Sequence, residues 1–167
     1  PAPQSEPNLI AMYNQASGLH RAGRLAEAAA LYRKVLDRWP NHFDALHMLG
    51  VAQMQAGHFH EALQRLDEAL HINSSDPGLH YNRGMALQEL PRPQEALASL
   101  NHALTLMPDY AEAWNNRGTV LRNMQHLDEA LTSYRRALEL KPNHAGACYN
   151  ISRVLLAQGR VEEALRY

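Results

Sequence analysis

Apolar residues along this chain recur at intervals of three and four over stretches of about 14 residues, separated by short joints rich in Gly, Pro, Asn and Asp. That period predicts amphipathic helices, and no stretch alternates in the way that would indicate a strand. One segment resists the pattern. In AEAWNNRGTVL, residues 111–121, Asn115, Asn116, Arg117 and Gly118 sit between Trp114 and Leu121. A glycine inside a helix costs about 1 kcal/mol relative to alanine. LHYNRGMAL repeats the offence 34 residues upstream, with Asn82 and Gly84 in register with Asn116 and Gly118.

A fixed period of this kind governs any further reading of the chain. Alignment from Leu9, Phe43, Pro77, Ala111 and Ala145 superposes four full units, 9–42, 43–76, 77–110 and 111–144, on a partial fifth, 145–167. The preceding residues 1–8 are Pro-rich and polar and are expected to form a flexible leader. The eighth position holds Ala16, Gly50, Gly84, Gly118 and Ser152, the twentieth Ala28, Ala62, Ala96, Ala130 and Ala164, and the twenty-seventh Val35, Ala69, Ala103 and Ala137. Small residues are expected where two helices approach closely, so each unit reads as two antiparallel helices.

The joints carry their own punctuation. Gly23, Gly57 and Gly159 stand at the fifteenth position, where a helix end favours a left-handed residue. The third unit has PRP there, which puts Pro93 in a first turn, where its missing N–H is harmless. Glu27, Glu61, Glu95, Glu129 and Glu163 fall in the first turn of each second helix, favourable to its positive end. Asn41, Asp109, Asn143 and Asp76 are expected to cap the next first helix. The fifth unit stops before its twenty-fourth position, so a longer array and fraying from Ala157 onward are expected.

A small residue at eight, Ala at twenty, Tyr32 and Tyr134 at twenty-four, and Pro40, Pro108 and Pro142 at thirty-two resemble the tetratricopeptide repeat family over residues 9–167. The resemblance implies an all-α, right-handed superhelical solenoid of tandem helix hairpins that acts as a protein-interaction module. Ser74 replaces one proline, and Arg83 and Arg117 stand at the seventh position, where the family has an apolar residue. Their stems are expected to pack and their heads to reach solvent or a carboxylate.

Rotation of about 100° per residue turns Trp114, Gly118 and Leu121 toward the partner helix and leaves the second, sixth, ninth and thirteenth positions opposite. Stacked units align that stripe into a continuous surface, the expected binding groove. Its sixth position carries Asn14, Met48, Asn82, Asn116 and Asn150, and the adjacent fifth carries Tyr13, His47, Tyr81, Asn115 and Tyr149. Arg122 and Arg153 complete the candidate set. An asparagine both donates and accepts, matching the main chain of an extended peptide, and tyrosine adds rigid apolar area with a polar tip. On this reading the asparagines read a peptide backbone; the alternative is that they tie neighbouring repeats together.

Asparagines so placed, with units such as PDYAEAWNNRG and RPQEALASL, resemble the arrays of bacterial SPINDLY-type proteins and O-linked N-acetylglucosamine transferases. That implies an alternative function, the substrate-binding arm of such a glycosyltransferase with its catalytic domain outside this chain. The groove positions of the first units hold Tyr13, Ser17, Met48 and Gly78, so no carboxylate clamp of the chaperone-tail kind is expected.

Composition narrows the function classes. With 46% hydrophobic and 20% charged residues the chain is not a disordered tail, and a formal net charge of -1 offers no field for nucleic acid or membrane phosphates. Basic residues in the groove amount to Arg21, Arg122 and Arg153, too few for an RNA-reading repeat. Neither a membrane span nor a signal segment is apparent, which places the protein in the cytoplasm, and a lone Cys148 forms no internal disulfide. Cys148 shares the fourth position with Leu46 and Trp114 and is expected in the core rather than as a nucleophile. The ten histidines fall at scattered registers, His42 and His144 between units, His58 and His126 within them, so no metal site is expected. No cofactor motif, catalytic constellation or phosphate loop is present.

Overall fold

The computed structural model describes residues 6–167. These form ten helices: α1 (Glu6–Arg21), α2 (Leu25–Arg38), α3 (Phe43–Gln55), α4 (Phe59–Ile72), α5 (Pro77–Glu89), α6 (Pro93–Leu106), α7 (Ala111–Asn123), α8 (Leu127–Leu140), α9 (Ala145–Ala157) and α10 (Val161–Ala164). Odd-numbered helices open each hairpin and even-numbered ones close it. Of the leader expected over 1–8, residues 1–5 lie outside the described residues, and α1 already runs through 6–8. Among the described residues no helix is long and apolar enough to cross a membrane.

Each first helix packs against its own second helix because the eighth position gives way. A Cβ built on Gly118 would lie 2.6 Å from Tyr134 Cε1, and one on Gly84 2.8 Å from Leu100 Cγ. Ala28, Ala62, Ala96 and Ala130 are fully buried on the facing helix, and Tyr32 and Tyr134 fill the space beside them without exposure. Successive first helices also touch one another, while successive second helices do not. The first helices therefore line the inside of the curve and the second helices its outside.

The turns inside the hairpins follow the chemistry of the fifteenth position. Gly23, Gly57 and Gly159 adopt φ of 74°, 80° and 74°, and Gln125 takes the same left-handed conformation at 66°. Across these turns a basic side chain pairs with the Glu three residues on: Arg92 Nε donates to Glu95 at 2.7 Å and Arg160 Nε to Glu163 at 2.7 Å. His58 and His126 occupy the same register, 3.6 and 3.2 Å from Glu61 and Glu129.

The caps of the first helices correct one expectation. Asp76 accepts from the Leu79 N–H at 2.9 Å as expected, but Asn41, Asp109 and Asn143 each sit one residue too early. His42 and His144 are the caps, their Nδ1 atoms accepting from Ala45 and Ala147 at 3.2 Å. Tyr110 occupies the cap position of α7 without a side-chain bond. Cys148 is likewise half-buried rather than in the core.

The seventh-position arginines bridge second helices. Arg83 donates to Asp67 on α4 and to Ser99 on α6, both at 2.6 Å. Arg117 donates to Asn101 on α6 at 2.8 Å and to Ser133 on α8 at 2.5 Å. Arg83 thus meets the expected carboxylate, whereas Arg117 finds an amide and lies 5.6 Å from the centre of the Trp114 ring.

Two glycines allow a matched test of this packing. A Cβ on Gly18 meets nothing within 4 Å. Gly18→Ala should raise stability by up to about 1 kcal/mol through helix propensity alone. Gly118→Ala, or Ala130→Leu at the facing position, should lower it by about 1–3 kcal/mol through overpacking. Urea denaturation of the three variants checks the ordering, and an Ala130→Leu protein as stable as the wild type would refute the helix register.

Candidate functional site

The fifth and sixth positions come together across the joints between hairpins, the sixth-position asparagine of the third, fourth and fifth units reaching the fifth-position residue of the preceding unit. Asn82 Nδ2 lies 2.8 Å from His47 Nε2, Asn116 Nδ2 donates to the Tyr81 hydroxyl at 3.0 Å, and Asn150 Nδ2 donates to Asn115 Oδ1 at 3.1 Å. All three pairs are 35 residues apart in sequence. The hydrogen bonds that would tie repeats together are therefore present.

Two of these joints merge into one network. Arg122 Nη1 donates to Asn150 Oδ1 at 3.1 Å, Asn150 to Asn115, Asn115 Nδ2 to Asn116 Oδ1 at 3.2 Å, and Asn116 to Tyr81. Every link points the same way, from the guanidinium of α7 through α9 and back to α5. Hydrogen bonds so aligned polarise one another and hold the amides in a single orientation. An asparagine suits these points because its amide offers both a donor and an acceptor.

The remaining candidates stand apart from the network. Tyr13 stacks on His42 with ring centroids 5.2 Å apart, as Tyr81 packs on Tyr110 at 4.9 Å. Asn14 is exposed on α1. Tyr149, 63% exposed, carries the Arg153 guanidinium 5.5 Å from its ring centre, an open aromatic and cationic patch on α9. His20, in the last turn of α1, meets Gln55 across the first joint at 3.1 Å.

Of the residues just before the first helices, sequence reasoning found Asp76 but missed the roles of the other three. His42, Asp76, Tyr110 and His144 occupy that register, and His42 and Tyr110 form the platforms on which the fifth-position rings lie. Reading the period at its thirty-fourth position, rather than only at the small residues, would have found them.

Burial raises the Tyr110 hydroxyl to about 12, with Tyr81, Glu112 and Asp76 adding to the effect. Burial likewise raises Tyr81, although its bond from Asn116 pulls the other way. Both hydroxyls stay protonated, so each can donate as well as accept. Burial is also the main cause of the raised Tyr134, opposed by Thr119, Arg122 and Arg153.

Three family models described as tetratricopeptide repeat match this chain, over residues 19–84, 111–144 and 145–166. A model described as protein prenyltransferase alpha subunit repeat matches residues 93–124, a helix pair taken across the joint between α6 and α7. No curated protein matches. Among solved structures, MamA is 26% identical with a TM-score of 0.84, over 91% of this chain and 89% of that one. YrrB, described as a tetratricopeptide-repeat protein with an unusual peptide-binding site, is 29% identical with a TM-score of 0.79, over 98% and 84%. PilF of Pseudomonas aeruginosa, at 24% identity and a TM-score of 0.85 over 97% and 74%, shares the fold.

Fold and site together define a solenoid of helix hairpins with a polar concave face. This chain is a tetratricopeptide-repeat protein, a fold consistent with a protein-interaction scaffold.

The His47–Asn82 joint carries a pH dependence. Burial pushes His47 below its ordinary value near 6.5, against the opposing pull of Asp76 and Asp44. The unfolded chain therefore binds more protons at this site, and stability falls as pH drops through the window below about 6.5. Acidification from about pH 7 to 5 should lower the melting temperature more in the wild type than in His47→Tyr, which supplies the residue found at this register in units one, three and five. Equal losses in the two proteins would show that His47 does not carry the effect.

Proposed function

We propose that the concave face binds an extended polypeptide segment and that the chain serves as an interaction scaffold rather than a catalyst. The observation that carries this reading is the row of half-buried side-chain amides in the third, fourth and fifth repeats, held in fixed orientation. Asn82, Asn115 and Asn150 each commit one amide hydrogen to the ladder. The second hydrogen, and lone pairs on the carbonyl oxygens, suit the alternating N–H and C=O of an extended main chain. Tyr13, Tyr81 and Tyr149 supply apolar area beside them, with Arg122 and Arg153 as cations at one edge. The peptide-binding site described for YrrB supports a peptide as the occupant. The alternative of a transferase's substrate-binding arm rests on the sequence resemblance and would use the same row of amides.

The ladder makes the asparagines serve stability and binding together, so a test must separate the two. A peptide recovered by display against the protein serves as probe, and affinity is measured per folded molecule, well below the melting temperature. Replacing Asn82, Asn116 and Asn150 by alanine should lower the melting temperature, since inter-repeat bonds are lost, and weaken binding at least about tenfold at a net 0.5–1.5 kcal/mol for each bond. Wild-type affinity in the folded triple variant would leave the asparagines as staples and overturn the proposal.

A further inference from the structure

The concave stripe changes character at the joint between the fourth and fifth units. The twelfth position of one unit and the ninth of the next read Met54 with Met85, then Gln88 with Thr119, and then Arg122 with Arg153. Two neutral pairs are thus followed by a pair of guanidiniums. Both face one cleft of about 460 Å³ at the edge of the groove, between α7, α9 and the turn that leads into α8. The other polar groups lining it are the amides of Asn123 and Gln125, and among the described residues no carboxylate borders it.

Other arginines of the chain are neutralised in place. Arg83 meets Asp67, Arg92 meets Glu95 and Arg160 meets Glu163. The partners of Arg122 and Arg153 are neutral instead. Arg122 donates from Nη1 to Asn150 at 3.1 Å and from Nη2 to Asn123 at 3.4 Å, and Arg153 lies 5.5 Å from the centre of the Tyr149 ring. An amide or a ring face holds a guanidinium in place without cancelling its charge. The two charges reach the same spot, since both pull the Tyr134 hydroxyl down against the rise that burial causes. Like charges around one cleft repel, and an anion between them reverses the sign of that interaction.

We infer that this cleft receives an acidic side chain, Glu or Asp, of a segment bound in the concave groove, and that Arg122 and Arg153 make the groove select for it. The inference rests on the reading of that face as a peptide groove. Asn150 is the link between the two: it belongs to the amide row and accepts from Arg122, so a main chain lying along Asn115 and Asn150 passes beside the cleft. A guanidinium only donates and a carboxylate only accepts, which makes their hydrogen bonds charge-assisted. A neutral side chain would leave both cations uncompensated, and a basic one would add a third.

The probe is a random peptide library displayed with its C-terminus fused, panned in parallel against three forms of the full chain. Wild type should enrich Glu or Asp at one position. Arg122→Gln with Arg153→Thr copies the preceding joint and should lose that enrichment, whereas Arg122→Lys with Arg153→Lys should keep it. The leading wild-type peptide, capped at both ends so that only its side chains carry charge, should bind at least about tenfold more tightly than its version with Gln or Asn at that position. The advantage should shrink as salt rises and fall below about twofold in the copied joint. NMR should show the peptide shifting the Asn115 and Asn150 side-chain amides in both proteins. If the copied joint fails to fold, exposed Arg153→Glu decides, and it should turn the preference toward Lys or Arg. Peptides that shift those amides without an acidic preference would overturn the inference and leave the groove reading intact. Peptides that leave the amides unmoved would overturn both, and an acidic preference that survives in the copied joint would overturn the role of the two arginines.

Discussion

The rest of the structure depends on the close approach of two helices within each hairpin. Where Gly118 meets Tyr134, and Gly84 meets Leu100, no Cβ fits without displacing a packed side chain. That contact sets how the hairpin closes, and with it which face of the first helix remains uncovered. A glycine in a helix weakens it locally, but the ring or leucine seated against the bare backbone returns the loss as burial and dispersion. Nearest-neighbour packing then propagates the arrangement from unit to unit.

The uncovered face is not a passive surface. Its asparagines are bound into the joints, and the run from Arg122 through Asn150, Asn115 and Asn116 to Tyr81 spans three units with all donors pointing one way. Groups held in this manner lose little freedom when a ligand arrives, which favours affinity through preorganisation. The same bonds couple neighbouring repeats, so a ligand that engages them acts on the stiffness of the array as well as on its own retention.

Concave and convex sides solve the same problem differently. Inside, first helices touch, and short amides suffice to join them. Outside, second helices stand apart, and a long arginine is needed to reach both walls, as Arg83 and Arg117 do. The joint between α2 and α4 has no such arginine: Leu49 stands at the seventh position, and Arg33 and Arg65 take the places of Asp67 and Ser99.

Much of this was legible in the order of the residues. The spacing of small residues, the glycines at the fifteenth position and Pro93 in a first turn lead to helix hairpins because those constraints are local, acting through backbone conformation and helix contact one turn away. The row of asparagines was legible for the same reason, since periodicity alone puts them on one stripe. Which atoms they bond was not: Asn116 finds Tyr81 and Asn150 finds Asn115 only through the distance and tilt between stacked hairpins. The caps illustrate the same limit, for His42 and His144 took the place expected of Asn41 and Asn143 by a shift of one residue in where the helix begins. Gln53 is the clearest case. In sequence it is an ordinary polar residue in a helix, and only the packing of α3 against its neighbours buries its amide oxygen without a partner among the described residues. Local pattern determined the helices and their faces; the pairing of side chains across joints was decided by tertiary structure, because it depends on a separation between helices that no single unit encodes.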